Sequence, residues 1–222
     1  LFLKPSTGSQ GKGVLKISLG KKKLTIVARN PLHPKEANRL FVKSFSSSAD
    51  CQDWLQKYIG TRRYIVQPYL PLRTPEGTPF DMRILVQKNG QGKWDITGRA
   101  IRLGPINALT ANLHGGGRAV DATLFLREHY PPVKLQEINH HLAHLTASIP
   151  QVLEKKHGPL CELGIDIGIE PQGKVWLLEV NSKPGRRSFA ETGDKEALRK
   201  ALTQPVHYAN FVLANGRSIQ YG

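Results

Sequence analysis

The sequence predicts an α+β fold in which antiparallel sheets carry flanking helices. Three observations support this. Most apolar stretches alternate with a period of two, they come in pairs joined by short turns containing Gly or Asn, and few segments show helical spacing. A doubly wound parallel sheet would instead need a helix between nearly every pair of strands.

The elements follow in chain order. "LFLKP" (1–5) and "VLKISL" (14–19) read as a first hairpin around the Gly- and Ser-rich "STGSQGKG". "KLTIVARN" (23–30) reads as a third strand and "PLHPKEAN" (31–38) as a loop with two prolines. "SADCQDWLQKYIG" (48–60) fits a helix: Ser48 can cap it, Cys51, Leu55, Tyr58 and Ile59 share a face, and Gly60 ends it. "RYIVQPYL" (63–70) reads as a strand, "PLRTPEGTP" (71–79) as a loop, and residues 80–103 as a hairpin turning at "KNGQG". Residues 105–121 are loop-like around "TANLHGGGRAVD". Leu135, Ile138, Leu142, Leu145, Ile149 and Val152 keep helical spacing, with Pro150 expected to kink or split that helix. "CELGIDIGIEPQGKVWLLEVN" (161–181) is a strongly marked hairpin, and the segment from Asp194 begins as a helix.

A chain of 222 residues can bury the core of one large domain or two small ones. Only Cys51 and Cys161 occur, and no CxxC is present. Both read as small buried residues, and a reducing, intracellular setting is expected. No apolar run approaches the roughly 20 residues of a membrane-spanning helix, and no signal-peptide pattern opens the sequence. The only methionine is Met82, so the sequence is expected to be a piece of a longer chain that lacks its N-terminal part. Lys and Arg number 32 against 17 Asp and Glu, a net charge of +15. That balance favours anionic partners such as phosphates, nucleic acid or acidic polymers, and is equally the mark of a solvated basic surface. "GKKK" (20–23) sits where a turn is expected, and no RRM, helix-turn-helix or zinc-finger pattern accompanies it.

The hairpin at 161–181 carries the clearest chemistry. Leu163, Ile165, Ile167 and Ile169 are apolar, while Glu162, Gly164, Asp166, Gly168 and Glu170 are charged or bare. One face is core and the other a polar floor. A turn symmetric about Gln172 and Gly173 puts Asp166 opposite Glu179 and Gly164 opposite Asn181. Directly opposed carboxylates have Cβ atoms roughly 4.5–5.5 Å apart and repel, so a cation is expected between them. Three oxygen ligands suit a hard divalent ion, Mg²⁺ above all, and Gly164 and Gly168 are expected to leave space above the floor. The alternative is an ordinary exposed sheet face whose acids pair with Lys and Arg. An odd-length turn would separate the pair.

The glycine loop after Lys4 is not a Walker loop, because it runs into a strand rather than a helix. A Gly-rich loop between strands can fold over a polyphosphate with its backbone N–H groups, Lys4 adding a point charge. A plain flexible hairpin turn has the same composition. His140 and His144 are an i,i+4 pair beside His141, without an acidic or thiol ligand placed next to them, and read as a solvated helix face.

Taken together, "LKPSTGSQGKG", "YIVQPYLPL", "FDMRILV", "TANLHGGG" and "ELGIDIGI…VWLLEVNSKPG" resemble, in order and spacing, the ATP-grasp superfamily. Within it the likeness is to the YheC/YheD family, described as endospore coat-associated, and RimK-type ligases share the pattern more distantly. The resemblance runs from Leu1 to about Arg186. It implies an ATP-grasp fold, with residues 1–70 as part of the small lobe and 71–222 as the large lobe. It implies that Lys4 and Ser6 contact ATP phosphates under a lid of Gly8, Ser9, Gly11 and Gly13. Gln67, Tyr69 and Leu70 would pass the adenine, although many members carry Glu near Gln67. Arg83 and Arg102 would face the transferred phosphoryl group, and Asp166, Glu179 and Asn181 would hold one or two Mg²⁺ ions, with Mn²⁺ an alternative. Asn112, Gly115, Gly116, Lys183 and Arg186 would serve the second substrate. Read without the resemblance, Arg83 and Arg102 are surface partners of Asp81 or Asp95.

The activity implied is ATP-dependent ligation of a carboxylate to an amine or thiol through an acyl phosphate. A catalytically silent nucleotide-binding or structural module of a spore layer is the second expectation, and a basic nucleic-acid-binding protein the third. The resemblance implies a cytoplasmic protein or one associated with the spore coat.

Overall fold

The computed structural model describes residues 1–7, 13–20, 23–29, 40–106, 108–111, 113 and 116–215. The fold is α+β, with two five-stranded antiparallel sheets. In the first, β1 (Phe2–Pro5), β2 (Leu15–Leu19), β3 (Leu24–Arg29) and β4 (Leu40–Phe45) are followed by helix α1 (Ser48–Ile59) and strand β5 (Tyr64–Gln67), in the order β4-β3-β2-β1-β5. Strand β4 was not expected from the sequence. The proline loop at 31–38 lies outside the described residues.

This sheet's core is made by alternation. Leu3, Leu15, Ile26, Ala28 and Phe45 point at one face and meet Cys51 and Tyr58 of α1. Trp54 stacks on Tyr58 at 5.0 Å and meets Phe41 edge-on. The helix cap is Ser47 rather than Ser48: its hydroxyl accepts from the Ala49 N–H at 3.1 Å and the Asp50 N–H at 3.5 Å.

The second sheet runs through β6 (Phe80–Lys88), β7 (Trp94–Leu103), β8 (Arg118–Asp121), helices α2 (Ala122–His129) and α3 (Pro132–His157), and strands β9 (Glu162–Ile169) and β10 (Val175–Asn181), in the order β10-β9-β6-β7-β8. Helices α4 (Arg187–Glu191) and α5 (Lys195–Ala214) follow. Residues 118–121, expected as loop, pair with β7, and α2 follows with Asp121 as its cap. Helix α3 is continuous through Pro150, against the expected split. Ile138, Leu142, Thr146 and Pro150 lie four apart on its buried face, so packing on the sheet holds the turn that the missing proline N–H weakens.

Two faces of the second sheet do different work. Met82, Ile84, Val86, Leu163, Ile165 and Ile167 are sealed under α2 and α3, each fully buried aliphatic contributing about 1.5–3 kcal/mol. The opposite face is divided. At one end Leu85 and Ala100 pack on Phe189 and Ala201, from α4 and α5, and Gln87 is fully hydrogen-bonded to Glu162, Thr97 and the Ala201 carbonyl. At the other end the face is polar and faces the first sheet across a cavity. Glu154 ties α3 to the β6–β7 hairpin through Lys88 and Trp94 and to the segment before β9 through the Leu160 N–H; burial pushes its carboxyl up, but these donors hold it lower than usual.

Candidate functional site

The β9–β10 pair puts Asp166 opposite Glu179 and Gly164 opposite Asn181, the expected register, by an unexpected route. The turn is not symmetric about Gln172 and Gly173. Glu170 and Lys174 close it, with the Gly173 N–H donating to the Glu170 carbonyl at 2.8 Å and Gly173 at φ +87°. An odd number of residues spans that turn, so Leu177 faces Ile167 and the next regular step would set Leu178 against Asp166. A bulge at Leu178 adds one residue and returns Glu179 to the polar face.

The expected open space above the glycines is also occupied. A Cβ on Gly164 would lie 2.7 Å from Pro184 Cβ and 3.2 Å from Arg83, and one on Gly168 would lie 2.7 Å from a Leu72 methyl. The glycines admit neighbours to the floor.

Across that floor runs a charged network. Arg83 on β6 stands opposite Asp166 and grips it with both arms, Nε to Oδ1 and a terminal nitrogen to Oδ2 at 2.9 Å. Arg102 on β7 grips Asp81 the same way, at 2.5 and 2.8 Å, and reaches Asp166 Oδ2 at 2.9 Å. Asn181 Nδ2 lies 3.5 Å from the same oxygen. The arginines are therefore buried partners of acids, not surface ones, and Arg83 pairs with Asp166 rather than Asp81 or Asp95. Burial pushes the Asp81 carboxyl up to about 6, reinforced by Asp166 and opposed by Arg102 and Arg83. Burial works against the charge of Arg102, yet Asp81 and Asp166 more than offset it and hold the guanidinium above its usual range. Asp81 was within reach of the sequence, since it lies two residues before Arg83 on one strand face.

The network floors a cavity of about 740 Å³ between the two sheets, the size of a small-ligand site. Lys4 and Ser6 line it from the end of β1, where Leu3 points into the core and its neighbours point outward. Gln67, Tyr69 and Leu70 line the wall that joins the sheets. Asp81, Arg83, Arg102, Asp166, Glu179 and Asn181 form the floor, and Lys183 also lines the cavity.

Other expected residues lie elsewhere. Gly8, Ser9, Gly11, Asn112 and Gly115 fall outside the described residues. Gly13 is off the cavity wall, its carbonyl accepting from the Tyr64 hydroxyl at 2.9 Å. Gly116 borders a second cavity, beside α2. Arg186 turns to Glu162 and the Pro184 carbonyl, while its neighbour Arg187 lines the main cavity. Arg73, Arg187 and Leu178 line the cavity without having been singled out. His140, His141 and His144 are exposed on α3, and Cys161 is only half-buried where full burial was expected.

Among the described residues no three His, Cys, Asp or Glu side chains are grouped to hold a metal. Three carboxylates and one amide share the floor; with Asp81 taken up by Arg102, Asp166, Glu179 and Asn181 are a donor set suited to a hard cation that completes its shell with phosphate oxygens and water. No helix among the described residues is long and apolar enough to cross a membrane.

Residues 1–212 match the family model of the YheC/D-like ATP-grasp proteins. The chain is 34% identical over 195 residues to the endospore coat-associated protein YheC of Bacillus subtilis (strain 168), covering 88% of this chain and 52% of that protein. It is 29% identical over 192 residues to the endospore coat-associated protein YheD of the same strain, covering 86% of this chain and 40% of that protein. The chain thus spans about half the length of the curated relatives it matches.

Proposed function

The chain belongs to the YheC/D-like ATP-grasp family, and on that premise we propose that its cleft binds ATP with Mg²⁺ and serves an ATP-dependent ligation of a carboxylate to an amine or thiol. The observation that carries this reading is the convergence on one cavity of Lys4, the 67–70 wall, the paired arginines and the Asp166–Glu179–Asn181 oxygen set. Residues 1–70 and 71–222 act as the two lobes around it.

Each residue has a task that its chemistry suits. Gln67 and the backbone around Tyr69 and Leu70 meet the base. Lys4, with Ser6 and the glycine loop, meets the phosphates. Asp166, Glu179 and Asn181 hold one or two Mg²⁺ ions, which neutralise phosphate charge. Arg83 and Arg102, fixed in planar two-point pairs, offer preset positive charge where the transferred phosphoryl group develops negative charge. The γ-phosphoryl group passes to the carboxylate, giving an acyl phosphate and ADP. A nucleophile entering past Lys183 then displaces phosphate. Of the three carboxylates on the floor, Asp81 and Asp166 are already paired with Arg102 and Arg83, so Mg²⁺ alone would be held weakly and a polyphosphate would supply further oxygens.

Calorimetric titration of the chain with ATP and Mg²⁺ tests the first step, and ADP release over pooled amino acids and dipeptides tests the second. Absence of ATP binding in that titration would refute the reading. A second reading is a nucleotide-binding module of a spore layer that performs no ligation. The names of the two relatives favour it, since they state a coat association. Tight ATP binding with no turnover on any acceptor would decide for it.

A further inference from the structure

We propose that Arg73 is a positioning residue that makes the cleft selective for a base-bearing nucleotide over a bare polyphosphate; this rests on the nucleotide reading above. Arg73 is half-buried on the cavity wall, and its guanidinium fixes three separate segments. Its Nε donates to the Tyr69 hydroxyl at 3.1 Å, one terminal nitrogen to the Gly77 carbonyl at 2.7 Å, and the other to the Ala108 carbonyl at 2.5 Å. Only a planar, multiply donating head does this, and a lysine offers a single point charge instead.

Tyr69 is held from the opposite side by the first sheet. The Lys16 ammonium sits 3.9 Å from its ring centroid, and the Phe2 ring lies at 6.5 Å. The tyrosine is thus clamped between a residue pair from β1 and β2 and an arginine rooted in the loop before β6. Ala108 opens the segment whose Leu109, Thr110 and Ala111 form another wall of the cavity. One guanidinium therefore sets the distance between two walls. None of its hydrogen bonds given by the structure reaches Arg83, Arg102 or Asp166 on the floor. A ligand's flat ring, lying along 67–72, depends on this spacing, and its phosphates, lying on the floor, do not.

The test compares Mg·ATP with Mg·tripolyphosphate by titration calorimetry on the wild-type chain, Arg73→Gln, Arg73→Lys, Tyr69→Phe and the double variant Arg73→Gln/Tyr69→Phe. Arg73→Gln is expected to weaken ATP binding by about tenfold or more and tripolyphosphate binding by less than about twofold, with Arg73→Lys rescuing little. Tyr69→Phe should shift ATP selectively by about threefold, and the double variant should be no weaker than Arg73→Gln, because the two side chains share one bond. Equal losses on both ligands, or no loss, overturn the role of Arg73. If Arg73→Gln fails to fold, Tyr69→Phe decides alone, since it removes a single oxygen, and no selective shift there overturns the proposal. A wild-type chain that binds tripolyphosphate and ATP equally also overturns it, whereas one that binds neither sinks the nucleotide reading itself.

Discussion

Asp166 stands directly opposite Glu179 only because a bulge at Leu178 cancels an odd-numbered turn. The two acids nevertheless have unlike surroundings. Asp166 is buried under Arg83 and Arg102, while Glu179 is exposed on the edge strand. Both line the cavity, but the pair is asymmetric: one member is bound by the arginines and the other is open to solvent.

That asymmetry predicts different costs for two similar substitutions. Asp166→Asn leaves two buried guanidinium groups without their shared carboxylate and should destabilise the fold by about 3 kcal/mol. Glu179→Gln should change stability by no more than about 0.5 kcal/mol. Both should weaken Mg·ATP binding by about tenfold or more, because each removes a charged oxygen from the floor. Denaturant unfolding read beside calorimetry checks the split, and equal stability losses would contradict it.

The floor was legible in the sequence because strict alternation from Leu163 to Ile169 states which side chains share a face. The route to the register was not, since turn length and bulge can only be told apart by pairing. One local sign existed: Leu177 and Leu178 are adjacent apolar residues in a strand that should alternate. Strand β8 and helix α2 escaped because four- and eight-residue elements give little periodicity, and their pairing partners lie on other segments. Gly164 and Gly168 signalled close approach, but which atoms approach is fixed by Pro184 and Leu72, brought there by chain packing.

Those contacts predict an order of tolerance for alanine. A Cβ at 164 meets the ring carbon of Pro184, which cannot rotate away, and Arg83 behind it. At 168 it meets methyl groups at the ends of Leu72 and Leu178, which can repack. Gly164→Ala should cost about 2–3 kcal/mol and Gly168→Ala about 1 kcal/mol, measured by urea unfolding. The reverse order would mean that the 182–186 segment yields more readily than the cavity wall.

The corrected cap of α1 is directly testable. Ser47 supplies the side-chain oxygen to the first turn, and Ser48 is already helical. Ser47→Ala should lose about 1 kcal/mol of stability, and Ser48→Ala no more than a few tenths of that, about 0.3 kcal/mol. Similar losses at both positions would return the cap to Ser48.

Asp81 gives a pH dependence whose sign is fixed by the direction of its shift. Burial first, and Asp166 second, push its carboxyl up to about 6 in the folded protein, whereas an aspartate in an unfolded chain titrates near 3.9. Between roughly pH 4 and 6 the folded chain keeps a proton that the unfolded chain has released. Above pH 6 both forms are ionised and the folded state carries the full cost of the buried charge. That cost shrinks as pH falls through 6 and is gone below about 4. Other carboxylates titrate in the same range, so the useful quantity is the difference from Asp81→Asn, which has no proton to gain there. On going from pH 7 to pH 4.5 the stability of the wild type relative to that variant should rise by about 2 kcal/mol. A difference that stays flat, or falls, would place the Asp81 carboxyl at or below its ordinary range and make its pair with Arg102 the dominant influence on it.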